Sequence, residues 1–229
     1  MTIPIVALDF ATQGSALALV DQLGETCRFY KIGAELFTAC GPTVVRSVQD
    51  RGAEIFLDLK YHDIPNTVAG AVRRAADLGA RLLTVHASGG PEMLSAAVAA
   101  AGNPEHCGVL AVTVLTSLAS EEVGSIWGRG PVNVADEVVR LGEMARQAGA
   151  AGIVCSGREA AAVKRRFGSS LLVLIPGIRM DGGATHDQAR ASTPADAVAA
   201  GADYVVVGRA VTAAADRRVA MREMMAQLA

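Results

Sequence analysis

The sequence predicts an α/β protein folded as one closed (β/α)8 (TIM) barrel, a single domain over residues 1–229. Three observations carry that expectation. Short apolar runs alternate with stretches of helical spacing eight times along the chain, and strands alternating with helices build a parallel sheet. The connections are short, and eight such units in 229 residues suit a closed barrel better than an open sheet. No composition shift marks a domain boundary, and no low-complexity segment interrupts the alternation.

The elements follow in order. Residues 3–10 form an apolar run that ends in Asp9 and reads as strand one, and residues 14–23 have helical spacing. Residues 29–32 are a short strand closed by Gly33, with Lys31 near its end. Residues 35–50 are mostly helical, interrupted by Gly41-Pro42. Residues 54–60 are strand three, and a helix follows over 65–78, with Pro65 suited to its first turn. Residues 82–85 are strand four, ending at His86, and Gly89-Gly90-Pro91 opens a helix to residue 101. Residues 109–114 are strand five, ending in Leu115-Thr116-Ser117. A short helix near Glu121 and a longer one over 134–148 come next. Residues 152–155 are strand six, 158–167 a helix, and 171–175 strand seven. A glycine-rich polar loop covers 177–192, and 194–200 is a short helix. Residues 204–207 are strand eight, ending in Gly208-Arg209, and a last helix covers 213–228.

Composition excludes several function classes. Hydrophobic residues make up 51% of the chain, ample for a large core. The net charge is −2 and no lysine-arginine run occurs, which argues against nucleic acid as a partner. No apolar run is long enough to span a bilayer, so no membrane role is expected. The N-terminus lacks the basic start and long apolar core of a signal peptide. Cys27, Cys40, Cys107 and Cys155 lack metal-type spacing and read as reduced thiols of a cytoplasmic protein. No phosphate-loop, H-E-x-x-H, G-x-S-x-G or G-x-G-x-x-G signature is present. His62 and His86 read as structural histidines; Trp127, Met180 and the C-terminal methionines read as packing or surface residues.

One stretch concentrates charge. Ile55, Phe56 and Leu57 lead into Asp58, Lys60 and Asp63 just before a proline. Asp58 and Lys60 are two apart, so on a strand both point to one face. The residues alone allow either a structural ion-pair network or a catalytic charge group, because charges in an apolar setting need partners. Location favours the second reading. Barrel active sites lie at the C-terminal ends of the strands, where Asp9, Lys31, Asp58, Lys60, His86, Thr116, Ser117 and Arg209 all fall. Gly208-Arg209 after strand eight suits a phosphate, since glycine lets a backbone N–H approach and an arginine fork matches phosphate oxygens. Pro176-Gly177-Ile178-Arg179 and the polar residues through Gln188 read as a lid that excludes water.

The chain resembles orotidine 5'-phosphate decarboxylase over nearly its whole length. The resemblance rests on Ala7-Leu8-Asp9, Lys31-Ile32-Gly33, the run from Asp58 to Thr67, Leu115-Thr116-Ser117, Pro176-Gly177-Ile178-Arg179, Asp187-Gln188 with Thr193-Pro194, and Val207-Gly208-Arg209. The Asp-x-Lys-x-x-Asp core is shared with related sugar-phosphate barrels, whereas its extension through His-Asp-Ile-Pro-Asn-Thr is far more specific. The resemblance implies decarboxylation of orotidine 5'-monophosphate to uridine 5'-monophosphate, the last step of de novo pyrimidine synthesis. It implies no metal and no organic cofactor. It implies catalysis by Lys60 with Asp58, Asp63 and Lys31, with Lys60 stabilising and then protonating the C6 carbanion. It implies ribose contacts from Asp9, Lys31 and Thr67, pyrimidine contacts from Thr116 and Ser117, and phosphate contacts from Gly208 and Arg209 under Arg179 and Gln188. Ile64 and Pro176 complete the implied substrate-binding set. It also implies a homodimer in which Asp63 and Thr67 reach into the partner's site.

Two rivals remain. A sister enzyme such as 3-keto-gulonate 6-phosphate decarboxylase or hexulose-phosphate synthase resembles the chain in Asp-x-Lys-x-x-Asp but uses magnesium, held partly by an acidic residue at the end of strand two. Here that position is Lys31, which would repel the metal, and Glu35 falls in the following loop or helix. The other rival is a silent barrel that only binds nucleotides or proteins; the full set of charges gives no sign of such decay.

Overall fold

Each strand carries apolar residues on both faces, and each face finds its own core. The structure, a computed structural model, describes residues 1–180 and 192–229. Its strands are β1 (Ile3–Ala7), β2 (Phe29–Gly33), β3 (Glu54–Tyr61), β4 (Leu82–His86), β5 (Gly108–Val112), β6 (Gly152–Val154), β7 (Leu172–Ile178) and β8 (Tyr204–Val207). They pair in sequence order, all parallel, and β8 closes on β1. The expected barrel is therefore the observed fold.

Helices cover the outside: α1 (Gln13–Leu23), α2 (Ala34–Cys40), α3 (Thr43–Gln49), α4 (Pro65–Asp77), α5 (Gly90–Ala101), α6 (Ser120–Ile126), α7 (Val134–Gln147), α8 (Gly157–Phe167), α9 (Pro194–Ala199), α10 (Arg209–Thr212) and α11 (Arg217–Leu228). Buried residues recur at helical spacing, as in Val68, Val72 and Ala75 of α4 or Met221, Met224 and Leu228 of α11. They join the strands' outward residues, such as Ile55 and Leu57, in one core between barrel and helices. Each fully buried Leu, Ile or Val there contributes about 1.5–3 kcal/mol. Side-chain caps fix several helix starts: Thr12, Asn133, Ser156, Thr193 and Asp216 each accept from backbone N–H groups in the first turn that follows.

The inner face makes a second, separate core. Ile5, Ala7, Phe29, Phe56, Leu82, Leu110, Val112, Val154, Leu174, Tyr204 and Val206 fill the barrel as an apolar plug.

Strand five, expected over 109–114, spans Gly108–Val112, and three larger departures from the sequence expectation occur. Strand one ends at Ala7, short of residue 10, although the Leu8 N–H still donates to Lys31 at 2.9 Å. Strand seven does not stop at residue 175 but runs through Pro176 and Gly177 to Ile178. Its pairing with β8 shifts register between Ile175 and Ile178, and Gly177 takes a φ of +76°. The last helix does not span 213–228 unbroken. Asp216 accepts from the Val219 N–H at 3.0 Å and starts α11 afresh, leaving α10 as a separate turn. The expected polar loop lies mostly outside the described residues; its edges meet where the Arg179 N–H donates to Ser192 at 3.0 Å.

Close backbone approach requires glycine at position 152. A Cβ at Gly152 would lie 2.4 Å from the Leu172 carbonyl oxygen and 2.7 Å from the Leu172 Cβ. Gly152→Ala must force β6 and β7 apart. It is expected to cost about 1–3 kcal/mol, seen as a lower urea midpoint at unchanged slope.

Candidate active site

The inner plug sets the phase of the residues above it. Side chains on a strand alternate, so the residue two beyond a plug residue faces the barrel axis one layer nearer the mouth. Ala7 is followed in this way by Asp9, Phe29 by Lys31, Phe56 by Asp58, Leu82 by Thr84, Leu174 by Pro176 and Val206 by Gly208. An apolar floor thus carries a polar layer, as the period-two pattern requires.

Over this floor four charges alternate in sign. Lys31 Nζ lies 2.8 Å from Asp9 Oδ1 and 3.9 Å from Asp58 Oδ2. Lys60 Nζ donates to both oxygens of Asp58, each at 2.8 Å. The side chains of Lys31 and Asp58 are only 11% and 12% exposed, that of Lys60 37%. Charges this buried persist only when paired. Here each inner charge has opposite neighbours, and Lys60 ends the series beside open space. Gly33 makes room for it, since a Cβ there would sit 3.1 Å from Lys31 Nζ and 3.5 Å from Asp9 Oδ1.

Lys60 does not reach this position by regular strand geometry. Its φ is +50°, the one positive value among described residues other than glycine. The β3–β4 pairing shifts register between Leu57 and Tyr61 around it. A non-glycine residue in this region costs about 1–3 kcal/mol, and such strain gathers at functional sites. Asp58 and Lys60 converge, but simple alternation ends at Asp58 and the strained turn brings Lys60 in.

These residues line a cavity of about 540 Å³. Asp9, Lys31, Asp58, Lys60, Thr116, Ser117, Pro176, Arg179, Gly208 and Arg209 all border it. Leu115 and Gly177, which fell within the quoted motifs without a role of their own, and Thr212, which was not anticipated, also line it. Arg179 leans on its own strand, with Nη1 donating to the Ile178 carbonyl at 2.8 Å. At Gly208 a Cβ would meet nothing within 4 Å, so the backbone there borders open space, and Arg209 follows as the first residue of α10. Asp63, Ile64 and Thr67 do not line the cavity; all three are exposed, and Asp63 Oδ1 accepts from the Ile64 N–H at 2.7 Å. Gln188 lies outside the described residues. Glu35 sits exposed in the first turn of α2 and does not line the cavity.

Thr84 also had no assigned role from the sequence. It is fully buried, donates to Asp58 Oδ1 at 3.0 Å and accepts from the Lys60 N–H at 2.9 Å. The available signal was its phase: a lone hydroxyl in an apolar strand, two residues before His86.

A half-buried charge series above a dry floor, at the C-terminal mouth of parallel strands, defines a barrel of the enzyme type. The chain belongs to the orotidine 5'-phosphate decarboxylase / HUMPS family, whose model matches residues 2–224. It is 50% identical over 226 residues to the orotidine 5'-phosphate decarboxylase of Halorhodospira halophila, covering 98% of this chain and 95% of that one. With the enzyme of the same name from Anaeromyxobacter sp. it shares 50% identity over 222 residues, 97% of this chain and 96% of the relative. The crystal structure of orotidine 5'-phosphate decarboxylase from Lactobacillus acidophilus superposes with a TM-score of 0.87 at 34% identity, covering 100% of this chain and 99% of that one.

Beside the site, His86 faces His62, ring centroids 5.3 Å apart. Burial lowers the His86 pKa from its ordinary 6.5, and His62 and Lys60 lower it further, while Asp58 opposes. The unfolded chain therefore takes up this proton more readily than the folded one. His86 contributes stability above the ordinary histidine pKa that is lost as pH falls through it. In urea titrations between about pH 7.5 and 5, His86→Asn should lose less stability than wild type. A wild-type-to-variant gap that stays constant with pH would remove His86 from the acid response.

Proposed function

We propose that the protein converts orotidine 5'-monophosphate to uridine 5'-monophosphate and CO2, the last step of de novo pyrimidine synthesis, in the cytoplasm. The observation that carries the reading is Lys60, a cation fixed by both oxygens of Asp58 at the wall of the cavity. Loss of CO2 from C6 leaves a carbanion that no adjacent carbonyl delocalises fully. A cation already in place stabilises that charge without reorganising, which is often the largest single catalytic contribution. As the C6–carboxylate bond breaks, its electron pair stays on C6. Lys60 Nζ then gives C6 a proton and regains one from solvent. Asp58 lies near the departing carboxylate and keeps the ammonium aimed.

The remaining residues bind. Asp9, Lys31 and Thr67 take ribose hydroxyls, and Thr116 and Ser117 take the amide edge of the pyrimidine. Gly208 and Arg209 take the phosphate together with Arg179 and Gln188, and Pro176 belongs to the wall of the cavity. Binding energy from the phosphate supports stabilisation at C6. The site works without metal or organic cofactor. Against the magnesium-dependent alternative stands the Lys31 ammonium, between Asp9 and Asp58 at the end of β2. The free state of all four cysteines supports a reducing compartment.

The site is completed by a second copy of the chain. Asp63, Ile64 and Thr67 are exposed outside their own cavity, at the start of α4. In the proposed homodimer they enter the partner's site, where Asp63 extends the alternating charges beyond Lys60.

Three outcomes are expected. Wild-type protein with chelator turns over orotidine 5'-monophosphate, followed by the pyrimidine ultraviolet change; no turnover at micromolar enzyme would sink the proposal. Lys60→Ala loses at least about 10³-fold in kcat/KM, and Arg209→Ala loses several orders of magnitude less than Lys60→Ala. Equal losses would contradict these roles. Mixing Lys60→Ala with Asp63→Ala subunits restores part of the activity, because each heterodimer holds one site with both residues intact. No recovery after subunit exchange would refute the shared site.

A further inference from the structure

We propose that Thr84 is a positioning residue for the reaction, the anchor that holds the strained Lys60 backbone and aims the Asp58–Lys60 pair. The inference rests on the decarboxylase reading for its kinetic part and on geometry alone for its structural part.

The β3–β4 ladder fails around Lys60. Regular pairing matches Phe56 with Leu82 and Leu57 with Leu83, then resumes only at Tyr61 with Val85. A backbone N–H buried in such a break needs another acceptor. The Lys60 N–H finds it in Thr84 Oγ1 at 2.9 Å. The same oxygen carries the hydroxyl proton to Asp58 Oδ1 at 3.0 Å. One hydroxyl therefore bonds the backbone of the cation and the carboxylate that aims it, accepting from one and donating to the other. Asp58 closes the ring by accepting from Lys60 Nζ at 2.8 Å.

Geometry leaves this task to a hydroxyl on β4. Thr84 is 0% exposed, so water does not replace it. It stands directly above Leu82 of the plug and below His86 at the mouth, on the strand beside β3. Valine there keeps the shape and branching and removes both bonds. Serine keeps the hydroxyl. Lys60 at φ +50° then depends on whether the acceptor remains.

Thr84 does not border the cavity, so its loss should act on the chemical step and leave binding intact. The test compares Thr84→Val and Thr84→Ser with wild type in two readouts. Amide hydrogen exchange at Lys60 should speed at least about 10-fold in Thr84→Val and stay near wild type in Thr84→Ser. Steady-state kinetics on orotidine 5'-monophosphate should show kcat down about 10- to 100-fold for Thr84→Val with KM within about threefold, and Thr84→Ser near wild type. If Thr84→Val does not fold, Thr84→Ala against Thr84→Ser asks the same question of the hydroxyl. Unchanged exchange at Lys60 without the hydroxyl overturns the anchor. Faster exchange with unchanged kcat, or equal losses for serine and valine, overturns the positioning role. Wild-type protein without turnover would sink the decarboxylase reading and, with it, the kinetic part alone; the exchange readout would still decide the anchor.

Discussion

The mouth of the barrel depends on one constraint: an ammonium must stay charged and aimed just above an apolar floor. An isolated charge there would be costly, and a single buried ion pair gains little over its desolvation. The structure meets the constraint with a series. Asp9, Lys31, Asp58 and Lys60 alternate in sign, so each inner group has an opposite charge on either side. The apolar plug beneath keeps the local dielectric low, which strengthens each attraction and raises the cost of removing any member. Exposure rises from the well-covered Lys31 and Asp58 to the open Asp9 at one end and the partly open Lys60 at the other. The interior of the series is thereby held, and its free end is left facing the cavity.

Barrel geometry makes such a series available. Inward-pointing side chains from alternate strands stack in layers, and Lys31, in register with Ala7 and Phe56, carries its ammonium on a long stem to Asp9 and Asp58. The β2–β3 register sets Gly33 opposite Asp58. A side chain at Gly33 would crowd the ammonium of Lys31 against Asp9. The regular lattice suffices for Lys31 and Asp58, Asp9 stands just past the end of β1, and at Lys60 the lattice is broken. Register shifts occur in β3–β4 around Lys60 and in β7–β8 around Pro176 and Gly177. Both breaks lie at residues that border the cavity. A plain barrel yields a ring of side chains aimed at its axis, and a bulge re-aims one of them.

Much of this was legible in the sequence because it follows from period and location. Alternating strand and helix patterns gave the barrel, and the strand-end rule gathered Asp9, Lys31, Asp58, Lys60, Thr116, Ser117 and Arg209 at one mouth. What escaped was set by contacts across strands. The positive φ of Lys60 has no local signature, since lysine does not favour that region. Thr84 looks like one more strand residue between Leu83 and Val85, and its role exists only because β3 breaks beside it. The run of β7 past Ile175 was hidden by Pro176 and Gly177, which read as a loop start. The single helix expected over 213–228 followed the alanines and overlooked Asp216, whose cap resets the helix.

The run from Asp58 to Thr67 divides at the strained lysine. Up to Asp58 the chain is a barrel strand whose alternate side chains face the axis. Lys60 turns the backbone at φ +50°, and strand pairing resumes for Tyr61 alone before the chain leaves the barrel. Beyond it Asp63, Ile64 and Thr67 stand outside the cavity, with Ile64 67% exposed. An apolar side chain that exposed, between an acid and a hydroxyl, has the character of a contact centre with a polar rim. In the proposed dimer the same turn therefore performs two tasks. It presents the ammonium to its own cavity, and it sends the next acid toward the neighbouring one. The hydroxyl of Thr84 stands at the junction, bonded to the residues on which both tasks turn.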